Sequence, residues 1–351
     1  MKNSFFKNNK IIILLMISSL VAVILFSSKK IQVKTPIRVG VWEFFDAKVI
    51  PPKNLYTNTN EIAHNNIDDD KDGYIDNIHG IGFDYLEQPT YHNFYPDSSQ
   101  LVYYFHGTGV AEVILRNNPD VEIAGCGFLR YVERIYDSTY KKNLTERLQS
   151  SEIKDANLVC NMLETSLRYY RSINVKVVNI SWMASYDVWK EILPKYNLNS
   201  PAYYQKMKKW TNLFHNCLTN LFKEYKDIFF VIAAGNDGAD VDESFVTPSK
   251  IDLPNTITVG GLQKDGKTIA PFSNYGKNVI AYATAEYDSL LVLKNKNGSY
   301  IYMFNVQGTS FAAPVVTAYV AKLIAKGYSF EKIKAHIRKK KYFISPQKTL
   351  Y

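Results

Sequence analysis

Apolar residues recur along this chain in short β-rich runs separated by longer stretches of helical spacing. Runs rich in Val and Ile and bounded by turn residues predict strands at Ile37–Trp42, Val121–Phe128, Val175–Ser181, Ile228–Ala234, Thr256–Gly261 and Asn278–Ala283. Several are apolar almost throughout, as in a parallel sheet covered on both faces. Helical spacing fills the intervals at His106–Arg116, Glu152–Ser172, Ala202–Tyr225 and Ser310–Lys326. This alternation implies an α/β fold: a doubly wound, mostly parallel sheet with helices on both faces and its site at the carboxyl ends of the strands. No Pro-, Gly- or Ser-rich linker interrupts it. Residues 31–351 are therefore expected to form a single domain that closes on a basic C-terminal helix.

The first thirty residues break the pattern. Lys2, Lys7 and Lys10 precede an unbroken apolar or small-residue stretch from Ile11 to Phe26, and Lys29 and Lys30 follow it. Residues 1–30 read as a signal peptide or a signal anchor, because the stretch falls between a secretory apolar core and the roughly 20 residues that span a bilayer. Cleavage after Ser27 would put Leu25 where a small residue is preferred, which favours the uncleaved anchor. The rest of the chain is then exported, held to the membrane through residues 11–26, or secreted or periplasmic if the segment is removed.

Composition adds limits. The 351 residues are 46% hydrophobic, enough for a sizeable core, and disorder is excluded for most of the chain. The net charge of +9 comes from scattered Lys and Arg, clustered only in 332–341, which reads as a solvated helix end. No nucleic-acid partner is expected. Cys126, Cys160 and Cys217 offer neither an even disulfide framework nor a paired metal knuckle; one bridge is open to an exported chain, without assignment. Nothing fixes an oligomeric state.

Three segments carry candidate chemistry. Gly308-Thr309-Ser310-Phe311-Ala312-Ala313-Pro314 runs into an apolar helix, so Ser310 meets the free N–H groups of a helix amino end, which favour developing negative charge. Pro314 is tolerable there because it falls in the first turns, where the missing N–H costs little. His106-Gly107-Thr108-Gly109-Val110-Ala111 opens another apolar helix, with glycines that permit close backbone approach. Ala233-Ala234-Gly235-Asn236 ends a buried strand on an amide able to donate to an oxyanion.

In this order, these segments resemble the signatures of the subtilisin-like (S8, subtilase) serine peptidase family. The likeness extends through Val177-Val178-Asn179-Ile180-Ser181-Trp182, Thr258-Val259-Gly260-Gly261 and Phe272-Ser273-Asn274-Tyr275-Gly276, and covers roughly residues 37–326. It implies a subtilisin-like fold and a serine endopeptidase acting on a peptide or protein substrate, with no catalytic cofactor. Ser310 is then the nucleophile, His106 its general base and Asn236 an oxyanion donor, with Ser181, Trp182 and Gly235 lining the substrate cleft. The alternative is a degenerate pseudopeptidase that binds peptides or a protein partner.

The acid departs from the family pattern. Its Asp normally ends the first strand, where this chain reads Val39-Gly40-Val41-Trp42-Glu43-Phe44-Phe45-Asp46. Glu43 is in phase with Val39 and Val41 and is the favoured acid; Asp46 is the alternative and needs extra residues at the strand end. Phe44 and Phe45 replace small residues and are expected to crowd the site. Met183 stands where a cleft Gly commonly follows Ser-Trp, Ala283-Thr284-Ala285-Glu286 lacks the usual Ala-Pro-Gly, and self-maturation by propeptide cleavage is not expected.

Asn66-Ile67-Asp68-Asp69-Asp70-Lys71-Asp72-Gly73-Tyr74-Ile75-Asp76 has the alternating carboxylates of a calcium loop. Asp68, Asp70, Asp72, Asp76 and the Tyr74 carbonyl are the candidate ligands of a structural Ca²⁺. The twelfth position is His79 rather than a bidentate Glu, so the loop is not a complete EF-hand. Similar acidic insertions between the Asp and His motifs are a feature of some bacterial-type subtilases.

Overall fold

Side chains on successive strand residues point to opposite faces, and in this chain both faces are apolar. The computed structural model describes residues 35–83, 102–128, 144–146, 148–149, 152–244, 246–295 and 297–346. The apolar segment 11–26 lies outside them; among the described residues no helix is long and apolar enough to cross a membrane.

Among the described residues the main sheet has eight strands: β1 (Arg38–Val41), β2 (Gly80–Phe83), β3 (Glu122–Phe128), β4 (Val177–Ile180), β6 (Phe229–Ala233), β8 (Thr256–Leu262), β9 (Val279–Thr284) and β12 (Tyr342–Phe343). Their order is β12-β9-β8-β6-β4-β1-β3-β2, and every neighbouring pair is parallel. From β1 the chain builds β2 and β3 on one side, then crosses to β4 on the other. The carboxyl ends of β1 and β4 thus flank a topological switch point, where open α/β sheets place their ligands. Contacts within Pro36–Tyr351 make it one compact unit.

Two cores follow from the alternation. Val39, Val41, Ile123, Val177, Val231 and Val259 face α1 (Val102–Asn117), α5 (Thr309–Ala325) and α6 (Phe330–Lys340). Ala124, Cys126, Val178, Ile180, Phe230 and Ile232 face α2 (Glu152–Ser172), α3 (Tyr186–Lys195) and α4 (Pro201–Glu224). Helix α5 is apolar on all sides, and its burial along nearly its whole length follows from that composition. Cys160 on α2 and Cys217 on α4 are bridged, with Cα atoms 6.2 Å apart, while Cys126 is free and buried.

The structure extends and corrects the predicted elements. The histidine helix begins at Val102, four residues before His106. Gly80–Phe83, whose two glycines disguise a strand, pairs with β3 at the sheet edge. An antiparallel hairpin, β10 (Glu286–Lys294) and β11 (Tyr300–Gln307), was not predicted and leads straight into Gly308. It packs on α1, where the buried Glu112 accepts from the Leu291 N–H at 2.6 Å and pairs with Arg116 at 2.6 Å. A short antiparallel pair, β5 (Ala184–Ser185) and β7 (Val246–Thr247), completes the strands among the described residues.

Candidate active site

Three neighbouring strands deliver the site. Just beyond β1 comes Glu43, beyond β4 Ser181, and beyond β6 Gly235 and Asn236; α1 and α5 bring His106 and Ser310 across their ends. The in-phase position of Glu43 turns its side chain toward α1, as it does for Val39 and Val41. His106 Nδ1 lies 3.1 and 3.0 Å from the two Glu43 carboxylate oxygens. A carboxylate only accepts, so Nδ1 carries the proton and Nε2 is left as the basic nitrogen. Glu43 is nearly buried, with 10% of its side chain exposed against 34% for His106, so the pair is only partly screened by water.

The pair is held from several sides. A Cβ on Gly107 would fall 2.0 Å from the Phe44 carbonyl oxygen and 3.2 Å from Glu43 Cβ, so only glycine lets α1 approach this closely. The Tyr170 hydroxyl donates to the Val41 carbonyl at 2.8 Å, two residues before Glu43. Burial pushes that phenol well above its ordinary range, and it remains a donor. Phe44 and Phe45 do not crowd the site. The Phe44 ring lies in a slot left by Gly82 and Gly127, where an added Cβ would come within 2.8 and 2.3 Å of it. Phe45 is fully buried in the core shared with α1 and α5. Asp46, the alternative acid, is engaged elsewhere: its carboxylate accepts from the Lys48 and Lys294 N–H groups, both at 3.0 Å.

Ser310 is the second residue of α5, whose amino end is capped by Gly308 at φ 144°. Its Oγ donates to the Ser181 carbonyl at 3.2 Å, and Ser181 Oγ donates back to the Ser310 carbonyl at 2.8 Å. Asn179 and Thr317 continue this buried network: Asn179 Nδ2 donates to Ser181 Oγ and Thr317 Oγ1 to Asn179 Oδ1, both at 2.9 Å. The His106 ring stands 5.2 Å from that of Phe311, beside Ser310. No hydrogen bond joins His106 to Ser310 among the described residues.

Asn236 is exposed, with its amide orientation set by Thr309. Thr309 N and Oγ1 donate to Asn236 Oδ1 at 2.8 and 2.9 Å, which turns Nδ2 outward. Asn274 clamps the same turn, accepting from Asp237 N and Ala239 N at 2.9 Å each and donating to the Ala234 carbonyl at 3.0 Å. Neither Thr309 nor Asn274 is marked by local sequence as a positioning group. Trp182 packs its ring against the second core, 5.5 Å from that of Trp42.

In the acidic loop, carboxylate oxygens of Glu61, Asp68 and Asp70 lie within 4.8 Å of one another. Glu61 precedes the recognisable motif and was missed for that reason. Asp72 and Asp76 do not join this group. Asp72 accepts from Tyr74 N and Asn77 Nδ2, and Asp76 from Asn65 N and Asn66 N. Burial raises the Asp72 carboxyl above its ordinary value. Tyr74 packs its ring 5.1 Å from that of Tyr169.

A doubly wound parallel sheet with a histidine–carboxylate pair and a serine in the first turn of a helix at its switch point defines a subtilisin-like class of α/β fold. Within it, a family model described as the subtilase family, Peptidase_S8, matches residues 64–347, and the chain belongs to that family. The match begins after Glu43, so the carboxylate rests on strand phase and on its contact with His106. The chain is 39% identical over 111 residues to the subtilase-type proteinase RRT12 of Saccharomyces cerevisiae, covering 31% of this chain and 21% of that protein. It is 36% identical over 112 residues to subtilisin-like protease 2 of Arthroderma otae, covering 32% and 24% respectively. It thus matches under a quarter of the length of these curated relatives. A lanthipeptide protease structure superimposes with a TM-score of 0.52 at 19% identity, over 86% of this chain and 79% of that one, a likeness of fold.

Proposed function

We propose that this chain is a serine endopeptidase in which Ser310, His106 and Glu43 act as a triad and Asn236 serves the oxyanion. The observation that carries it is the Glu43–His106 pair at 3.0–3.1 Å beside a serine at a helix amino end. In the working enzyme Ser310 Oγ leaves the Ser181 carbonyl for His106 Nε2; such contacts are often loose before substrate binds. Oγ then attacks the peptide carbonyl carbon as His106 takes its proton. The oxyanion receives the Ser310 backbone N–H and Asn236 Nδ2, and Glu43 stabilises the imidazolium. Collapse breaks the C–N bond, His106 protonates the departing amine, and water activated by His106 releases the acyl group.

One observation favours the degenerate alternative: Ser310 Oγ is hydrogen-bonded to Ser181 and not to His106. Hydrolysis of a mixed peptide library by the purified protein decides between them. The peptidase cleaves, and Ser310→Ala lowers turnover by roughly 10⁶-fold. Binding of peptides without any cleavage by the wild type supports the alternative.

The Cys160–Cys217 bridge suits an oxidising compartment and, with the N-terminal apolar segment, supports export. Glu61, Asp68 and Asp70 offer hard oxygens suited to a structural Ca²⁺. Chelator is expected to lower the melting temperature, Ca²⁺ to restore it, and Glu61→Gln to blunt the response; a melting temperature indifferent to chelator contradicts calcium binding.

A further inference from the structure

The segment that leaves β4 runs past the nucleophile and carries a residue with no role in the chemistry above. Ser181 and Ser310 exchange hydrogen bonds, and Met183 lies two residues further on. A Cβ built on Gly235 would fall 2.8 Å from Met183 Sδ, so the thioether rests on the backbone immediately before Asn236. Ala184 and Ser185 pair with Thr247 and Val246, which fixes the backbone that follows Met183. Met183 is packed against the cluster of Ala234, Val241, Val246, Leu262, Val279 and Tyr282.

The tetrahedral carbon formed by attack carries four groups, and three have assigned directions. Ser310 Oγ is one; the oxyanion faces Asn236 Nδ2 and the Ser310 N–H; the departing nitrogen faces His106, which must protonate it. The fourth, the Cα of the residue on the acyl side of the scissile bond, takes the remaining direction, away from the departing nitrogen and His106. Met183, next to the segment bonded to Ser310 and resting on Gly235, is the side chain adjacent to both groups that hold the reacting carbon.

We infer that Met183 fills the pocket for the acyl-side residue and restricts cleavage to bonds that follow Gly, Ala or Ser. This rests on the peptidase reading. A larger side chain has to displace the thioether from its apolar cluster, and methionine's flexibility does not remove the cost of exposing that surface. Sequence hinted at this only through an unexpected residue after Ser-Trp; the contact with Gly235, 52 positions away, gives it a consequence.

The test uses the full-length protein and two peptidyl diphenyl phosphonates differing only in Ala or Phe at the acyl-side position. A fluorophosphonate with no such side chain reports on the nucleophile by itself. Wild type is expected to react with the Ala probe at least about tenfold faster than with the Phe probe, and Met183→Gly to raise the Phe rate about tenfold or more while the fluorophosphonate rate stays within about threefold. Should Met183→Gly lose fluorophosphonate reactivity through misfolding, Met183→Ala carries the same expectation. Equal wild-type rates for the two probes, or a ratio unmoved by the substitution, overturns the inference while leaving the peptidase reading intact. Failure of all three probes on folded wild type overturns both.

Discussion

At the residue scale, the Asn236 amide, proposed to serve the oxyanion, depends on a neighbour 73 positions away. Thr309 N and Oγ1 hold Asn236 Oδ1, and Thr309 Oγ1 also accepts from the Gly235 N–H at 3.1 Å. Thr309→Val keeps the shape and the backbone donor but removes the hydroxyl, so Asn236 gains freedom to turn. Losing an oxyanion donor outright costs about 10²–10³ in turnover, and a partial loss of about tenfold in kcat with little change in KM is expected here. Separate measurement of kcat and KM checks this; a change confined to KM contradicts it. Glu43 was legible in the sequence because strand periodicity alone places it on the α1 face with Val39 and Val41. The harmlessness of Phe44 was not, because the glycines that receive it, Gly82 and Gly127, belong to other strands.

At the element scale, two long helices on one face of the sheet are covalently joined. The Cys160–Cys217 bridge links α2 to α4 across a sequence separation of 57 residues. Replacing both cysteines by serine is expected to destabilise the fold by about 2–4 kcal/mol, chiefly by freeing the unfolded chain. Equilibrium urea unfolding measures it, and an unchanged midpoint contradicts a formed bridge. Burial pushes the Cys126 thiol far above its ordinary value, which leaves it protonated and unsuited to exchange with the bridge. Sequence could not choose the pair, since three spaced cysteines permit three pairings and only the packing of α2 on α4 selects one. The β10–β11 hairpin escaped for a related reason: its pairing partner is itself, and its burial is supplied by α1, with Glu112 on the Leu291 N–H.

At the scale of the whole molecule, alternating strand and helix patterns were enough to give a doubly wound sheet, because each apolar run had to be covered on both faces. The strand order was not legible, and it is what brings Glu43, Ser181 and Asn236 together at adjacent carboxyl ends. The central claim is that Glu43, outside the stretch that matches the subtilase family, completes a working triad. The most direct measurement is the rate at which a fluorophosphonate labels the full-length protein, its Ser310→Ala variant and its Glu43→Ala variant. The account predicts labelling of the wild type, none of Ser310→Ala, and labelling of Glu43→Ala slowed by about 10³–10⁴-fold. Folded wild-type protein that takes no label, or label that enters Glu43→Ala at the wild-type rate, would contradict it.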